Sequence, residues 1–343
     1  MKNPVRQRRF EILIQFIFIA VVSLLLAGGW VPTTSSAAVP VNKIDFPAKG
    51  RSITVVVGHQ AGGGTDVGAR IVASAMEKVL GGTKIEVLNK PGATGQAGAT
   101  FLMRSKPDGY TIGAVNLPPL PVSYLDPDRQ AVYTRKDFQP LALQVVDPAI
   151  IAVRAESQYK SLSDVINAAK ANPRKLTITT TGLQSTEHFV ILQLQNMTNA
   201  QFVLVHFEGG VPALMAVLGG KIDVLCGNVS DVMSHAKSGS IRVLGVMDNQ
   251  ESPFLPPGIK TFRAQGIPIT GGASRGYAAP GTTPKETVNI LGEALKRALE
   301  SGEVKHQMSK MGLTWRYMDP VQFGKLWDET DQMMLKLIPL TKQ

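Results

Sequence analysis

A single cysteine, Cys226, stands in 343 residues, so no internal disulfide closes this chain and its stability rests on the core alone. Cys226 ends the apolar stretch 222–226 and reads as a small buried hydrophobe. No cysteine follows the N-terminal apolar run, which excludes a lipid anchor attached there. His188, His206 and His235 have neither metal-ligand spacing nor cysteine partners. The glycine run at residues 62–64 lacks a Gly-Lys-Ser/Thr continuation and forms no nucleotide P-loop. Gly92, Gly95 and Gly98 are spaced three and three and do not open the first βαβ unit, so they make no dinucleotide fingerprint. No Gly-x-Ser-x-Gly elbow occurs. Ser185 and His188, three residues apart at a helix start, lack the orienting carboxylate that a nucleophile pair needs. The net charge is +10, yet the basic residues are scattered and form no aromatic–basic stripe, so nucleic acid is not a partner. Together these absences predict no catalytic residue, no metal and no cofactor.

What is present begins with a leader. Lys2, Arg6, Arg8 and Arg9 form a positive segment, residues 12–26 are apolar apart from Gln15 and Ser23, and Ser35, Ser36, Ala37 and Ala38 supply small residues for cleavage. Residues 1–38 therefore read as a signal peptide that is removed on export. The apolar run is short for a spanning helix, which needs roughly 20 residues. The mature chain keeps a charge of about +7, suited to an anionic ligand or an acidic partner, and is long enough for two domains.

Beyond Asn42 strands alternate with helices. Strands are predicted at 53–57, 85–88 and 111–115, with helices over 65–80 and 95–105 between them and a Pro- and Asp-rich loop at 117–129. An apolar run at 141–146 ends at Asp147-Pro148. The middle repeats the pattern: a helix capped by Ser161, a strand at 176–181, a helix from Ser185 to Met197, a strand at 202–207, a helix at 212–218 and short strands at 222–226 and 242–246. Two capping boxes, from Thr283 and from Asp319, open helices near the C-terminus. The predicted class is α/β, with parallel-rich sheets in two lobes joined by more than one crossing strand.

Four loops follow strand ends and are rich in glycine or hydroxyl: 61–66 (AGGGTD), 89–98 (NKPGATGQAG), 179–188 (TTTGLQSTEH) and 208–212 (EGGVP). In open parallel sheets such loops gather beyond the carboxyl ends of the strands, where ligands bind. Backbone N–H groups at a helix start accept an anion, and Thr65, Thr181 and Ser185 add hydroxyl donors. Asp66 reads two ways, as a contact for a ligand ammonium group or as a carboxylate that stabilises its helix N-terminus through the dipole. His59 and His188, each beside a glycine-bearing loop, are either cleft donors or structural histidines.

On these residues the chain resembles the periplasmic substrate-binding proteins of tripartite tricarboxylate transporters, the Bug family. The resemblance runs in order through Phe46-Pro47-Ala48-Lys49, AGGGTD, NKPGATG, Pro107-Asp108-Gly109-Tyr110-Thr111, TGLQSTEH, HFEGGVPAL, LGGKIDV and Ala279-Pro280-Gly281-Thr282-Thr283-Pro284. It implies a type II periplasmic binding protein with lobe one at 39–145 and 272–343, lobe two at 146–271, and a hinge between them. It also implies a carboxylate gripped by Gly62, Gly63, Gly64, Thr65 and Asp66 with Thr181, Gly182, Ser185 and His188, while Gly209, Gly210 and Asn228 line the second lobe's side. His59 joins this ligand-binding set.

The chain departs from the family pattern at Gly58-His59, Gln184, Phe207-Glu208, near Gly227 and at Arg275, positions expected to shape the distal pocket. Arg275 and His59 are either partners for a second carboxylate or rim residues. The expectation is a monomeric periplasmic protein that captures a small organic carboxylate between its lobes and delivers it to membrane transporter subunits. The alternative is an extracytoplasmic sensor subunit that presents its closed form to a receptor; an enzyme built on Ser185 and His188 is the remaining rival.

Overall fold

The computed structural model describes residues 46–342, so the expected signal peptide at 1–38 lies outside the described residues. The first βαβ units follow the sequence pattern closely: β1 (Ile53–Val57), α1 (Gly64–Val79), β2 (Ile85–Asn89), α2 (Gln96–Arg104) and β3 (Thr111–Leu117). β1 lies parallel to both β2 and β3. The segment read as a Pro- and Asp-rich loop contains a short helix, α3 (Pro119–Leu125), whose Leu120 and Val122 are buried. Its prolines occupy the first turn, where a missing N–H removes no helical bond.

β4 (Phe138–Arg154) organises the rest. It is 17 residues long and buried except at Gln139, Val146 and Arg154. Only 141–146 is legible as a strand, because Pro140 and Asp147-Pro148 punctuate a run that tertiary pairing carries through. Next come α4 (Leu162–Ala171), β5 (Thr177–Thr180), α5 (Thr186–Thr198), β6 (Val203–His206), α6 (Gly210–Leu218), β7 (Leu225–Asn228), α7 (Val229–Lys237), β8 (Ile241–Val246) and β9 (Gly272–Pro280). The chain closes with α8 (Lys285–Glu300), α9 (Gly302–Lys310), β10 (Thr314–Met318) and α10 (Pro320–Leu337). The sequence pattern misses α7, β9, α9 and β10.

Residues 138–148 of β4 pair antiparallel with β9, and β10 joins β4 on its other side. β9 in turn pairs antiparallel with β3, giving the sheet order β10-β4-β9-β3-β1-β2. From Ala149 onward β4 leaves that sheet and runs antiparallel between β7 and β8. β5 and β6 pair in parallel, and Ile178 bridges Val224 ahead of β7. One strand thus belongs to two sheets, and the fold has two lobes joined through it.

Each lobe buries apolar side chains on both faces of its sheet, which explains why β4 reads as nearly continuous hydrophobic sequence. In the first lobe, Val72, Met76, Leu291, Leu295 and Met308 pack on one face, while Leu102, Phe138, Phe323 and Trp327 pack on the other. In the second, α4 and α5 cover one face through Val165, Ile191 and Leu194, and α6 and α7 cover the other through Leu214, Val217 and Val232. Ser161 caps α4 and Asp319 caps α10, as their capping boxes require. The expected Thr283 box fails: α8 starts after Pro284 with no side-chain cap, and the Thr283 hydroxyl is buried without a partner. Among the described residues no helix is long and apolar enough to cross a membrane.

β9 has little strand propensity of its own and depends on close approach. A Cβ on Gly276 would stand 2.5 Å from the Ala142 carbonyl oxygen and 2.7 Å from the Phe323 ring. Gly276→Val therefore lowers stability by about 1–3 kcal/mol, read as a lower urea midpoint at unchanged slope. An unaltered midpoint would show that β4 and β9 are not held at this distance.

Candidate functional site

Four of the helices begin where the sequence places glycine or hydroxyl loops, and the start of α1 is tied through Arg275 to Asp147, where β4 changes sheet. At the start of α1, Gly62 adopts φ +82, a conformation that a side chain disfavours. Gly63 is the extended N-cap. The first helical bond runs from the Val67 N–H to the Gly63 carbonyl, leaving the amides of Gly64, Thr65 and Asp66 ahead of it.

Asp66, expected among the ligand contacts, is instead committed to the turn. Its carboxylate accepts from the Gly62 N–H at 2.8 Å, the Asn89 amide at 2.9 Å and Arg70 Nε at 3.1 Å. Burial alone would raise its pKa, but these donors outweigh burial and hold it below the usual carboxylate value. The NKPGATG loop takes part through Asn89, whose amide also donates to the His59 carbonyl at 3.1 Å. The His59 ring packs against Gly95 and lines a cavity of about 20 Å³ with Thr94, Gly98 and Asn116. Burial, aided by the Arg275 charge, lowers its pKa to about 4, so the imidazole is neutral at pH 7. Its Nδ1 is buried without a partner. Asn116, a residue the sequence pattern does not single out, donates to Thr65 Oγ1 at 3.0 Å.

The second loop opens α5. Ser185 is its N-cap and accepts from the His188 N–H at 3.3 Å. Thr181 Oγ1 donates to Glu187, whose other carboxylate oxygen accepts from the Asn228 side-chain amide at 3.0 Å. Asn228 caps α7, and its N–H donates to Asp231 at 2.9 Å. A Cβ on Gly210, at the start of α6 beside Gly209, would stand 2.9 Å from Asp231 Oδ1. Burial, then the neighbouring Asp147 charge, pushes the Asp231 pKa up to about 6.

The His188 ring is held within its own loop. Its Nδ1 accepts from the Gln184 N–H at 2.9 Å, and its ring packs edge-on to His206 at 5.1 Å. It lines a surface cavity with Gln195, Phe202, Leu340 and Thr341, together with no glycine of the four loops. Gln184 itself sits at φ +59, in the left-handed region that favours glycine. Its amide donates to Asp126 and accepts from Arg129 Nε at 2.7 Å, so a segment of the first lobe holds this loop.

Arg275 connects the two walls. A Cβ on Gly64 would lie 3.3 Å from its Nη1. Its Nη2 donates to Asp147 Oδ2 at 3.2 Å, with Asp147 fully buried and the arginine side chain 13% exposed. Asp147 also accepts from the Ser230 N–H at 3.2 Å and the Ser230 hydroxyl at 2.6 Å. Burial pushes the Asp147 pKa upward, and Arg275 and Ser230 offset this only in part. The Nε and Nη1 groups of Arg275 are buried and have no protein acceptor. Asp147, Glu187 and Asp231 escape sequence reading; only Asp231 leaves a signal, as the third helical residue after an Asn cap. Among the described residues no three His, Cys, Asp or Glu are placed to hold a metal.

Two α/β lobes that share a long strand, with helix N-termini gathered where the strands cross, define a type II periplasmic binding protein. The comparisons agree. The profile of the TctC family, described as the tripartite tricarboxylate transporter family receptor, matches residues 68–340, and the chain belongs to that family. The chain is 27% identical to the protein BugT of Bordetella pertussis over 86% of this chain and 88% of that one. A TctC solute-binding protein from Polaromonas superposes with a TM-score of 0.73 at 28% identity, covering 86% of this chain and 99% of that chain. MatC from Rhodopseudomonas palustris, solved with bound malate, gives 0.74 at 28% identity over 85% and 100%.

The histidine geometry sets a pH response. His188, buried and neutral, has its pKa lowered to about 4 by burial and then by His206, from an unfolded value near 6.5. Between those values the unfolded chain binds the extra proton, so stability falls as pH drops through this window. His188→Gln removes that share, and the melting temperature declines less steeply from pH 6.5 to 4 than in the wild type. Parallel curves would show that the imidazole is not held neutral.

Proposed function

We propose that this protein is a periplasmic solute-binding receptor that closes its lobes around a small organic mono-, di- or tricarboxylate and passes it to the membrane subunits of a tripartite transporter. Family membership supports the receptor role, and the malate bound to MatC supports a carboxylate ligand. The observation that carries the reading is the set of free donors at the start of α1, beside a guanidinium with two unpaired N–H groups. Gly64 and Thr65 supply amides from one wall, on the turn that Gly62 and Gly63 form. Thr181, Gly182 and Ser185 face them from the loop before α5, and Gly209, Gly210 and Asn228 complete the second wall.

The lobes divide at 39–145 with 272–343, and at 146–271, after removal of residues 1–38. The hinge then falls where Asp147 and Pro148 pair with Ala273 and Gly272. A ligand that touches both walls only when they are shut draws a pre-existing open–closed equilibrium toward the closed form. The protein performs no reaction and works as a monomer.

A thermal-shift screen of pure protein against C2–C6 carboxylates should raise the melting temperature with at least one of them, since a ligand for the native state alone stabilises it by mass action. Gly63→Val tests the turn. Gly63 has φ −72, which valine adopts, although the new Cβ stands 3.3 Å from the Gln60 carbonyl. The variant should fold with near wild-type ellipticity and lose calorimetric binding of the carboxylate found in the screen. Full affinity in the variant would remove the turn from the site.

A further inference from the structure

Helix α5 is shared between two cores. One face carries Val190, Ile191 and Leu194 into the second-lobe core, with Ile151, Ile178 and Cys226. The other carries Phe189, 1% exposed, into a separate buried cluster with Val122 of α3, Met334 near the end of α10 and Ile338 just beyond it. The loop before α5 is held to the first lobe as well. Gln184, 5% exposed, donates to Asp126 and to Thr341 Oγ1 at 3.3 Å, and accepts from Arg129 Nε at 2.7 Å. Arg129 Nη2 also donates to the Leu183 carbonyl at 3.3 Å, and Lys342 donates to the buried Asp126 carboxylate at 2.8 Å. α6 differs: it packs in a cluster whose residues all lie between 150 and 259, and its Val211 and Met215 are exposed.

Pulling α5 away from α3 and α10 would return the apolar faces of Phe189, Val122, Met334 and Ile338 to water. It would also take the Gln184 amide from the buried Asp126 carboxylate, and a buried acceptor that loses a donor is costly. The start of α6 has no such tie. A Cβ on Gly209 would meet nothing within 4 Å, and one on Gly210 would meet only Asp231 of the same lobe. We infer that α5 is a second joint between the lobes, beside the strand crossing, and that Phe189 and Gln184 are positioning residues that hold the 181–185 loop against the first lobe with or without a ligand. The left-handed glutamine fits this role, because groups of the first lobe over-determine its conformation. Closure is then a swing of the α6 wall, Gly209 and Gly210, toward a loop and a glycine turn already set against each other.

This inference rests on the two-lobe receptor reading above and assigns which wall moves. The test is electron–electron double resonance on the mature chain in a Cys226→Ala background, with spin labels at exposed positions. One pair, Asn196→Cys with Lys336→Cys, spans α5 and α10; the other, Ser74→Cys with Met215→Cys, spans α1 and α6. Without ligand the first pair should give one narrow distance and the second a broader distribution. Malate, succinate and adipate are the probes, and any that raises the melting temperature should shift the second pair and leave the first unmoved. Hydrogen exchange of the ligand-free protein reads the positioning. Gln184→Asn tolerates the left-handed backbone but its amide is one methylene shorter. Exchange across 181–189 should quicken about tenfold in it, while α4 exchanges at the wild-type rate. Phe189→Ala should behave alike, and Phe189→Leu, which keeps an apolar side chain in the cluster, should retain the protection. If Phe189→Ala does not fold, Gln184→Asn decides the matter.

A first pair as broad as the second in the ligand-free protein overturns the joint and leaves the receptor standing, with α5 meeting α10 only on closure. Wild-type exchange across 181–189 in Gln184→Asn and in folded Phe189→Ala overturns the positioning roles. A single narrow distance for both pairs, with and without the three carboxylates, removes lobe movement and overturns the closure reading itself.

Discussion

The ion pair between Arg275 and Asp147 sits where one long strand passes from the first sheet to the second. β4 leaves one sheet for the other at residues 147–149, and β9 runs beside it there, so the pair ties the two strands at the crossing. Removing one partner of a fully buried pair leaves an uncompensated charge and costs roughly 3–5 kcal/mol. Asp147 in turn holds Ser230 through both its amide and hydroxyl, which fixes the start of α7. The guanidinium rests against Gly64, which fixes its relation to α1. Strand crossing, helix starts and charge are therefore set by one contact network.

Carboxylates in the first turns of helices do most of the positioning. Asp66 in α1, Glu187 in α5 and Asp231 in α7 each lie where the helix dipole favours negative charge. Their tasks differ. Asp66 folds the glycine turn back on itself and points no free acceptor outward, so the amides beyond it stay available. Glu187 joins Thr181 to Asn228 and so couples the second loop to the start of α7. Asp231 carries the fewest partners of the three, and burial pushes its pKa up to about 6.

The loops were legible because glycine and helix-cap residues act locally. A run of three glycines after a β-branched strand forces a turn wherever it stands, and Ser161 and Asp319 cap their helices from within a few residues. The Thr283 box shows the limit of that reasoning: Pro284 takes the cap position and the threonine hydroxyl turns inward. His188 shows a related local effect. A histidine after a Gly-Leu-Gln-Ser turn has the right spacing to face a cleft, but its own loop offers the Gln184 N–H first. Gln184 carries the clearest mark of a non-local cause, since a left-handed glutamine is held in place by Asp126 and Arg129, more than fifty residues away.

The sequence by itself determined the α/β class, the four glycine- and hydroxyl-bearing helix starts, and the absence of any catalytic or metal motif, because each of these depends on contacts within a few residues. Tertiary structure alone decided that β4 serves two sheets, that β9, with Gly272 and Gly276 and little strand propensity, still forms a strand, and that Arg275 meets Asp147 across a separation of 128 residues. Those outcomes depend on which distant chain segments are brought together, and burial at the crossing, where an unpaired charge is untenable, selects the partner.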